Sequence, residues 1–263
     1  MHLRYHFTLM FVVVSYLFLT YTNSEFRIIN GVDWDIADSP YLVAVNYSGK
    51  NICVGSLVTL QRVLTAWHCL IEKEVDLFII IAGVTDVRDL TGQNREVYII
   101  IYPYDFSSET RIMDIAVIVL CESFDKSPTV KTIPLCKTTL PARTEMRVSG
   151  WGFTTKKGNP SPTLKSTTLR VTSFDQCAER YRTIGRILTP EMVCAAFPGT
   201  DICDGDSGAP GVVDGTLCAV ASNSIECNHG YIPTIFTNIS DPDVLEYISM
   251  AMTCKVFPSQ INL

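Results

Sequence analysis

Beyond residue 27 the chain alternates short apolar runs with clusters of turn-forming residues. Runs at 41–46, 55–59, 77–82, 97–101, 115–120, 147–150, 168–172, 211–213, 216–222 and 234–238 are rich in Val, Ile and Thr. Gly, Pro, Asp, Asn or Ser separates many of them, so they predict strands. Many short strands with few helices point to an all-β sandwich or barrels. The pattern changes near the end, where Pro242 suits a first helical turn and Val244, Leu245, Ile248 and Met252 fall on one helical face. Residues 156–162 are polar with Gly and Pro and read as a loop. There is no repeat of 20–50 residues and no low-complexity tract.

The first 24 residues follow another logic. His2, Arg4 and His6 precede an apolar run over 7–19, and small Thr22 and Ser24 stand where a signal peptidase cuts. Residues 1–24 therefore read as a secretory signal, and the run is short for the alternative, a single-pass anchor. Secretion gives the ten cysteines a role: all lie beyond the signal, their number is even, and no CxxC pair suggests zinc. Disulfides are expected, in an extracellular protein. The sequons at Asn46 and Asn238 are candidate glycan sites.

At 263 residues the chain can bury a sizeable core. Hydrophobic residues make up 47% and charged residues 18%, which excludes a disordered chain. The net charge of −6 comes from dispersed Asp and Glu, and no Lys/Arg run marks a nucleic-acid partner. No later segment predicts membrane insertion, and a monomer is expected.

Two histidines lie beyond the signal. His68 sits in Leu64-Thr65-Ala66-Trp67-His68-Cys69 at the end of a strand, and His229 sits in a polar turn that suits a surface residue. Asp114 leads the apolar run Ile115-Ala116-Val117, a costly place for a carboxylate without a partner. Ser207 lies in Cys203-Asp204-Gly205-Asp206-Ser207-Gly208-Ala209-Pro210, whose glycines permit a tight turn with outward N–H groups. A nucleophile, a base, a group that orients the base and oxyanion donors are what acyl transfer requires.

In that order, Thr-Ala-x-His-Cys, Asp-Ile-Ala and Gly-Asp-Ser-Gly-x-Pro resemble the chymotrypsin–trypsin family of serine proteases, from about Ile28 to the final helix. The resemblance implies two perpendicular six-stranded antiparallel β-barrels, followed by a C-terminal helix, with the site in the cleft between the barrels. It divides the chain into a signal (1–24), an activation propeptide (25–27) and a protease domain (28–263), whose halves run approximately 28–137 and 138–241. It implies His68 as general base, Asp114 as its orienting carboxylate and Ser207 as nucleophile. The N–H groups of Gly205 and Ser207 would form the oxyanion hole, and Ser222 would bond the buried aspartate. Cleavage after Arg27 would free the Ile28 amine to pair with Asp206. Protein or peptide substrates, an activating protease and protein inhibitors are the implied partners, with no cofactor and no metal. A catalytically weak or inactive relative that binds partners is the rival reading.

The family pattern also implies the disulfides Cys53–Cys69, Cys177–Cys194 and Cys203–Cys227. Cys121, Cys136, Cys218 and Cys254 remain, with Cys136–Cys218 and Cys121–Cys254 the expected pairs because the final helix of such folds packs on the first barrel. Three positions depart from the pattern by added bulk: Trp67, Val54 and Ala209. Primary specificity stays open. Asp201, six residues before Ser207, implies pairing with substrate Arg or Lys. Ser224 and Thr234, where trypsin-like members carry glycine, and Asn223 beside them imply a narrowed slot for small aliphatic residues.

Overall fold

The computed structural model describes residues 31–153, 159–198, 202, 205–224 and 232–254. Strands β2 (Leu42–Tyr47), β3 (Lys50–Thr59), β4 (Arg62–Thr65), β5 (Phe78–Ala82), β6 (Gln93–Ile101) and β7 (Ala116–Leu120) close a first barrel in the order β2-β3-β4-β7-β6-β5. Strands β8 (Glu145–Gly150), β9 (Lys165–Thr172), β10 (Met192–Ala196), β11 (Pro210–Val213), β12 (Thr216–Asn223) and β13 (Thr234–Asn238) run β8-β9-β10-β13-β12-β11, and β11 pairs with β8 to close a second. Closure gives each barrel strand a neighbour on both sides. The short β1 (Val32–Asp33) precedes the first barrel in sequence but pairs with β9 of the second.

Side-chain alternation decides what fills each barrel. Phe78, Ile80 and Ala82 of β5 are buried while Ile79 and Ile81 are half-buried, the period of two expected of a strand with one inward face. Every residue of β7 is buried, because helix α2 (Pro242–Thr253) covers its outer side with Val244, Tyr247, Ile248 and Ala251. Each large apolar side chain so buried contributes about 1.5–3 kcal/mol. Asp241 caps α2 by accepting from the N–H groups of Asp243 and Val244, and Pro242 takes the first turn. The apolar stripe is broader than expected: Tyr247 and Ala251 complete it, and the Tyr247 hydroxyl donates to the Ile101 carbonyl at 2.6 Å.

The ten predicted strands are all present, several lengthened at one end. Helix α1 (Phe174–Arg182) and β10 carry weaker patterns. In α1 only Cys177 and Tyr181 are buried. That is one contact per turn, and the Cys177–Cys194 disulfide ties the helix to β10.

Cys53–Cys69, Cys177–Cys194 and Cys136–Cys218 are bonded as expected. Cys203 and Cys227 lie outside the described residues. The expected Cys121–Cys254 bridge is corrected: both residues are free, exposed thiols. Helix α2 does pack on the first barrel, but its end is held by Arg62 Nη2, which donates to the Cys254 carbonyl at 3.0 Å. Among the described residues no helix is long and apolar enough to cross a membrane.

Candidate active site

The two barrels meet where β4 ends, where β7 begins, and at the turn before β11. After β4 the chain enters a short 3-10 turn, Trp67–Cys69, which the Cys53–Cys69 disulfide anchors to β3. His68 projects from this turn with 18% of its side chain in solvent. Its Nδ1 lies 2.7 Å from Asp114 Oδ2 and its Nε2 lies 2.9 Å from Ser207 Oγ. The backbone N–H of His68 also donates to Asp114 Oδ1, at 2.8 Å. A carboxylate that accepts from both the main chain and the ring fixes the imidazole plane, and with Nδ1 protonated it leaves Nε2 free to accept from the serine hydroxyl.

Asp114 is fully buried, and the second barrel supports it. Ser222 Oγ donates to Oδ2 at 2.5 Å, and Thr237 Oγ1 donates to the Asp114 carbonyl at 2.9 Å. Ser222 reaches the carboxylate because β12 carries a bulge there: Ala221 pairs with Phe236 and Asn223 with Ile235, which leaves Ser222 as the extra residue. A bulge re-aims one side chain without ending the strand. Charged burial without such donors would be costly.

Ser207 sits in a turn held by both barrels. Its carbonyl accepts from Val54 N–H of β3 at 2.9 Å, and the next residue, Gly208, donates to the Ala221 carbonyl of β12 at 2.8 Å. Gly208 has φ +80°, and a Cβ there would lie 2.2 Å from both Thr65 Oγ1 and the Val54 carbonyl, so only glycine lets the turn approach β3 so closely. The N–H groups of Gly205 and Ser207 belong to this turn. Asp206, between them, is fully buried and accepts from Gly152 N–H at 2.8 Å.

The bulky departures are accommodated. Trp67 stacks on Tyr102, with centroids 4.0 Å apart and planes within 6°, and meets Phe106 edge-on at 6.4 Å. Val54 and Ala209 sit in a buried cluster whose other members include Ala44, Ala195, Ala219 and Ala221. Small neighbours absorb the added volume, which is how an enlarged core residue avoids strain.

Of the expected specificity residues, Thr234 is buried at the start of β13 and Ser224 is half-buried just after β12. Asp201, Arg27, Ile28 and His229 lie outside the described residues. Two neighbours of Asp114 were not anticipated. Thr237 carries no sequence signal beyond its place in a strand. Arg111, three residues before Asp114, brings Nη1 to 3.6 Å from Asp114 Oδ2, and its closeness in sequence to that carboxylate is the signal for the contact.

The family model described as Trypsin matches residues 28–246. Trypsin delta of Drosophila erecta is 32% identical over 223 residues, covering 82% of this chain and 85% of the relative. Hypodermin-A of Hypoderma lineatum is 28% identical over 221 residues, covering 83% and 86%. Among solved structures, neuropsin, a serine protease expressed in the limbic system of mouse brain, superposes with a TM-score of 0.77 at 28% identity, over 84% of this chain and 98% of that one.

Proposed function

The chain belongs to the trypsin family, and from that premise we propose that it is a secreted serine endopeptidase, made as a precursor and activated by cleavage after Arg27. The observation that carries this reading is the relay Asp114–His68–Ser207, with separations of 2.7 and 2.9 Å.

In the proposed reaction Ser207 Oγ attacks the scissile carbonyl while His68 Nε2 takes its proton. Asp114, still ionised, stabilises the imidazolium that forms. The N–H groups of Gly205 and Ser207 receive the developing oxyanion. His68 then gives the proton to the leaving amine, which departs and leaves an acyl-enzyme. Water attacks the acyl group with His68 again as base, and His68 returns that proton to Ser207 Oγ as the acyl–oxygen bond breaks and the acid product leaves. One proton passes from Ser207 through His68 to the amine and one from water through His68 back to Ser207, so the steps balance with the side chains alone.

Activation is proposed to run through Asp206. Its burial beside Gly152, next to the nucleophile, supports a role as acceptor for the Ile28 amine released by cleavage. That pairing would order the oxyanion donors on either side of Asp206. For primary specificity, Asp201 favours Arg or Lys, and the buried Thr234 supports a slot narrower than glycine would leave. Extracellular protein substrates, an activating protease and inhibitors follow as partners.

The test is to cleave the purified chain after Arg27 and incubate it with a mixed peptide library, reading new termini by mass spectrometry. Hydrolysis with a defined residue before the cut is expected. An intact library, with cleavage after Arg27 verified, would contradict the reading and favour a binding role.

A further inference from the structure

A groove of about 660 Å³ runs between helix α2 and the loop that joins β6 to β7. None of the relay residues His68, Asp114 and Ser207 lines it. The helix contributes Asp243, Glu246, Tyr247, Met250 and Cys254, a stripe spaced by three or four residues along one face. Tyr247 closes the floor, since it is buried and its hydroxyl is held by the Ile101 carbonyl.

The wall is apolar and unusually bare. Tyr104 is 99% exposed and Met250 59%, and Tyr102 stays 54% exposed although it stacks on Trp67. Single exposed apolar side chains are ordinary on a folded protein, but several meeting in one groove mark an interaction site. Four carboxylates stand among them: Asp105 from the loop, Glu191 from the turn before β10, and Asp243 and Glu246 from the helix. Among the described residues none of the four has a basic nitrogen within 4.0 Å. Arg62, at the Cys254 end, donates to that residue's carbonyl instead. No three of the four bring carboxylate oxygens within 4.8 Å of one another, so they do not form a site for a single metal ion. Their charges are spread along the groove, and its apolar walls focus the field on whatever occupies it.

We propose that this groove is a docking site for a cationic segment of a partner protein, one that carries several Lys or Arg residues with apolar side chains between them. Spaced carboxylates match spaced cations, and the open ring of Tyr104 offers its face to an ammonium or guanidinium. Lys and Arg stems cover apolar surface while their heads reach the carboxylates. Met250 and Tyr102 take the apolar side chains. The same charges repel phosphate, which excludes nucleic acid and anionic lipid from this face. Binding here needs no catalysis, so it stands apart from the endopeptidase reading.

The test uses the full chain with Ser207→Ala, cleaved after Arg27, so that no probe is hydrolysed. The probes are short synthetic peptides in which Lys and Leu are placed in varied order among Gly and Ser, each with a counterpart that carries Gln for Lys. Fluorescence anisotropy gives Kd. Lys members should bind roughly tenfold or more tighter than their Gln counterparts, with the gap narrowing as salt rises. The variant Asp105→Asn, Glu191→Gln, Asp243→Asn and Glu246→Gln should remove the gap, with an unchanged Tm to show that it folds. Tyr104→Ala should weaken the Lys members by roughly threefold. Asp201→Asn should leave the gap intact, which separates this site from the specificity pocket. No Lys member exceeding its counterpart, a gap that survives the fourfold neutral variant, or a gap lost in Asp201→Asn overturns the proposal. A dimer of the free protein that Tyr104→Ala dissolves, or affinity that emerges only when Phe257→Asp alters the chain's own tail, assigns the groove to another occupant and overturns it as well.

Discussion

Gly152 N–H donates to Asp206 Oδ1 at 2.8 Å, and the space between the two residues admits no side chain. A Cβ on Gly152 would lie 2.3 Å from Asp206 Cγ, and one on Gly150 would lie 2.4 Å from Oδ1. These glycines form the cradle in which the fully buried carboxylate sits, next to Ser207. Gly152→Ala should therefore displace Asp206 and disturb the oxyanion turn. Overpacking of this kind typically costs about 1–3 kcal/mol of stability. The larger expected effect is functional, a fall in active-site titre or kcat of roughly 100-fold, the range seen when an oxyanion donor is lost. Titration beside thermal unfolding separates the two, and full activity in a folded variant would refute the cradle's role.

Ser222 supplies a short bond to Asp114 from the opposite barrel. Ser222→Ala removes that donor and leaves a buried carboxylate with one bond fewer. A lost hydrogen bond to a charged group is worth about 1.5–3 kcal/mol. We expect kcat to drop roughly tenfold or more with KM nearly unchanged, because Ser222 positions the base and does not touch the scissile bond. Steady-state kinetics on one peptide suffices to check this.

The Cys136–Cys218 bridge spans 82 residues and ties the segment between the barrels to β12. Cross-links over loops of this length typically contribute about 2–4 kcal/mol. Replacing both cysteines with serine should lower Tm by several degrees, at roughly 2–4 °C per kcal/mol for a domain of this size. Differential scanning calorimetry measures it, and an unchanged Tm would mean that the bridge does not constrain the unfolded chain.

Cys121 is an exposed thiol whose reactivity should lag behind its exposure. Partial burial, then Glu96, Glu122 and Asp76, raise its pKa above the ordinary thiol value by disfavouring the thiolate. The sign is direct: a raised pKa means less thiolate at neutral pH and a gain only as pH rises. Iodoacetamide labelling of the Cys121 peptide should be slower than that of a free cysteine peptide at pH 7.5, with the gap closing above pH 9. Site-resolved mass spectrometry reads this, and equal rates at pH 7.5 would contradict it.

The relay was legible because three motifs carry it, each tied by chemistry to a local backbone shape. The strands were legible as runs rich in Val, Ile and Thr between turn-forming residues, whereas the inward alternation of Phe78, Ile80 and Ala82 was not, because residues 78–82 are all apolar. Helix α1 was not, because Cys177 and Tyr181 alone face inward and a disulfide does the anchoring. Ser222's bond to Asp114 was implied by the family resemblance, while the bulge that delivers it is defined by a register of pairing and not by a linear pattern. The Cys121–Cys254 expectation failed for a related reason: a helix packed on the correct barrel does not fix where its last residue points. Thr237 meets Asp114 only once the two barrels are assembled around it, whereas Arg111 stands three residues from it on the same loop.

The central claim is that Ser207 is a nucleophile activated by His68. A fluorophosphonate probe that labels activated serines tests it most directly, applied to the protein after cleavage at Arg27. The account predicts stoichiometric labelling, located at Ser207 by peptide mapping, abolished in Ser207→Ala and reduced by roughly four orders of magnitude or more in rate in His68→Ala. Correctly cleaved, folded protein that takes up no label would contradict it.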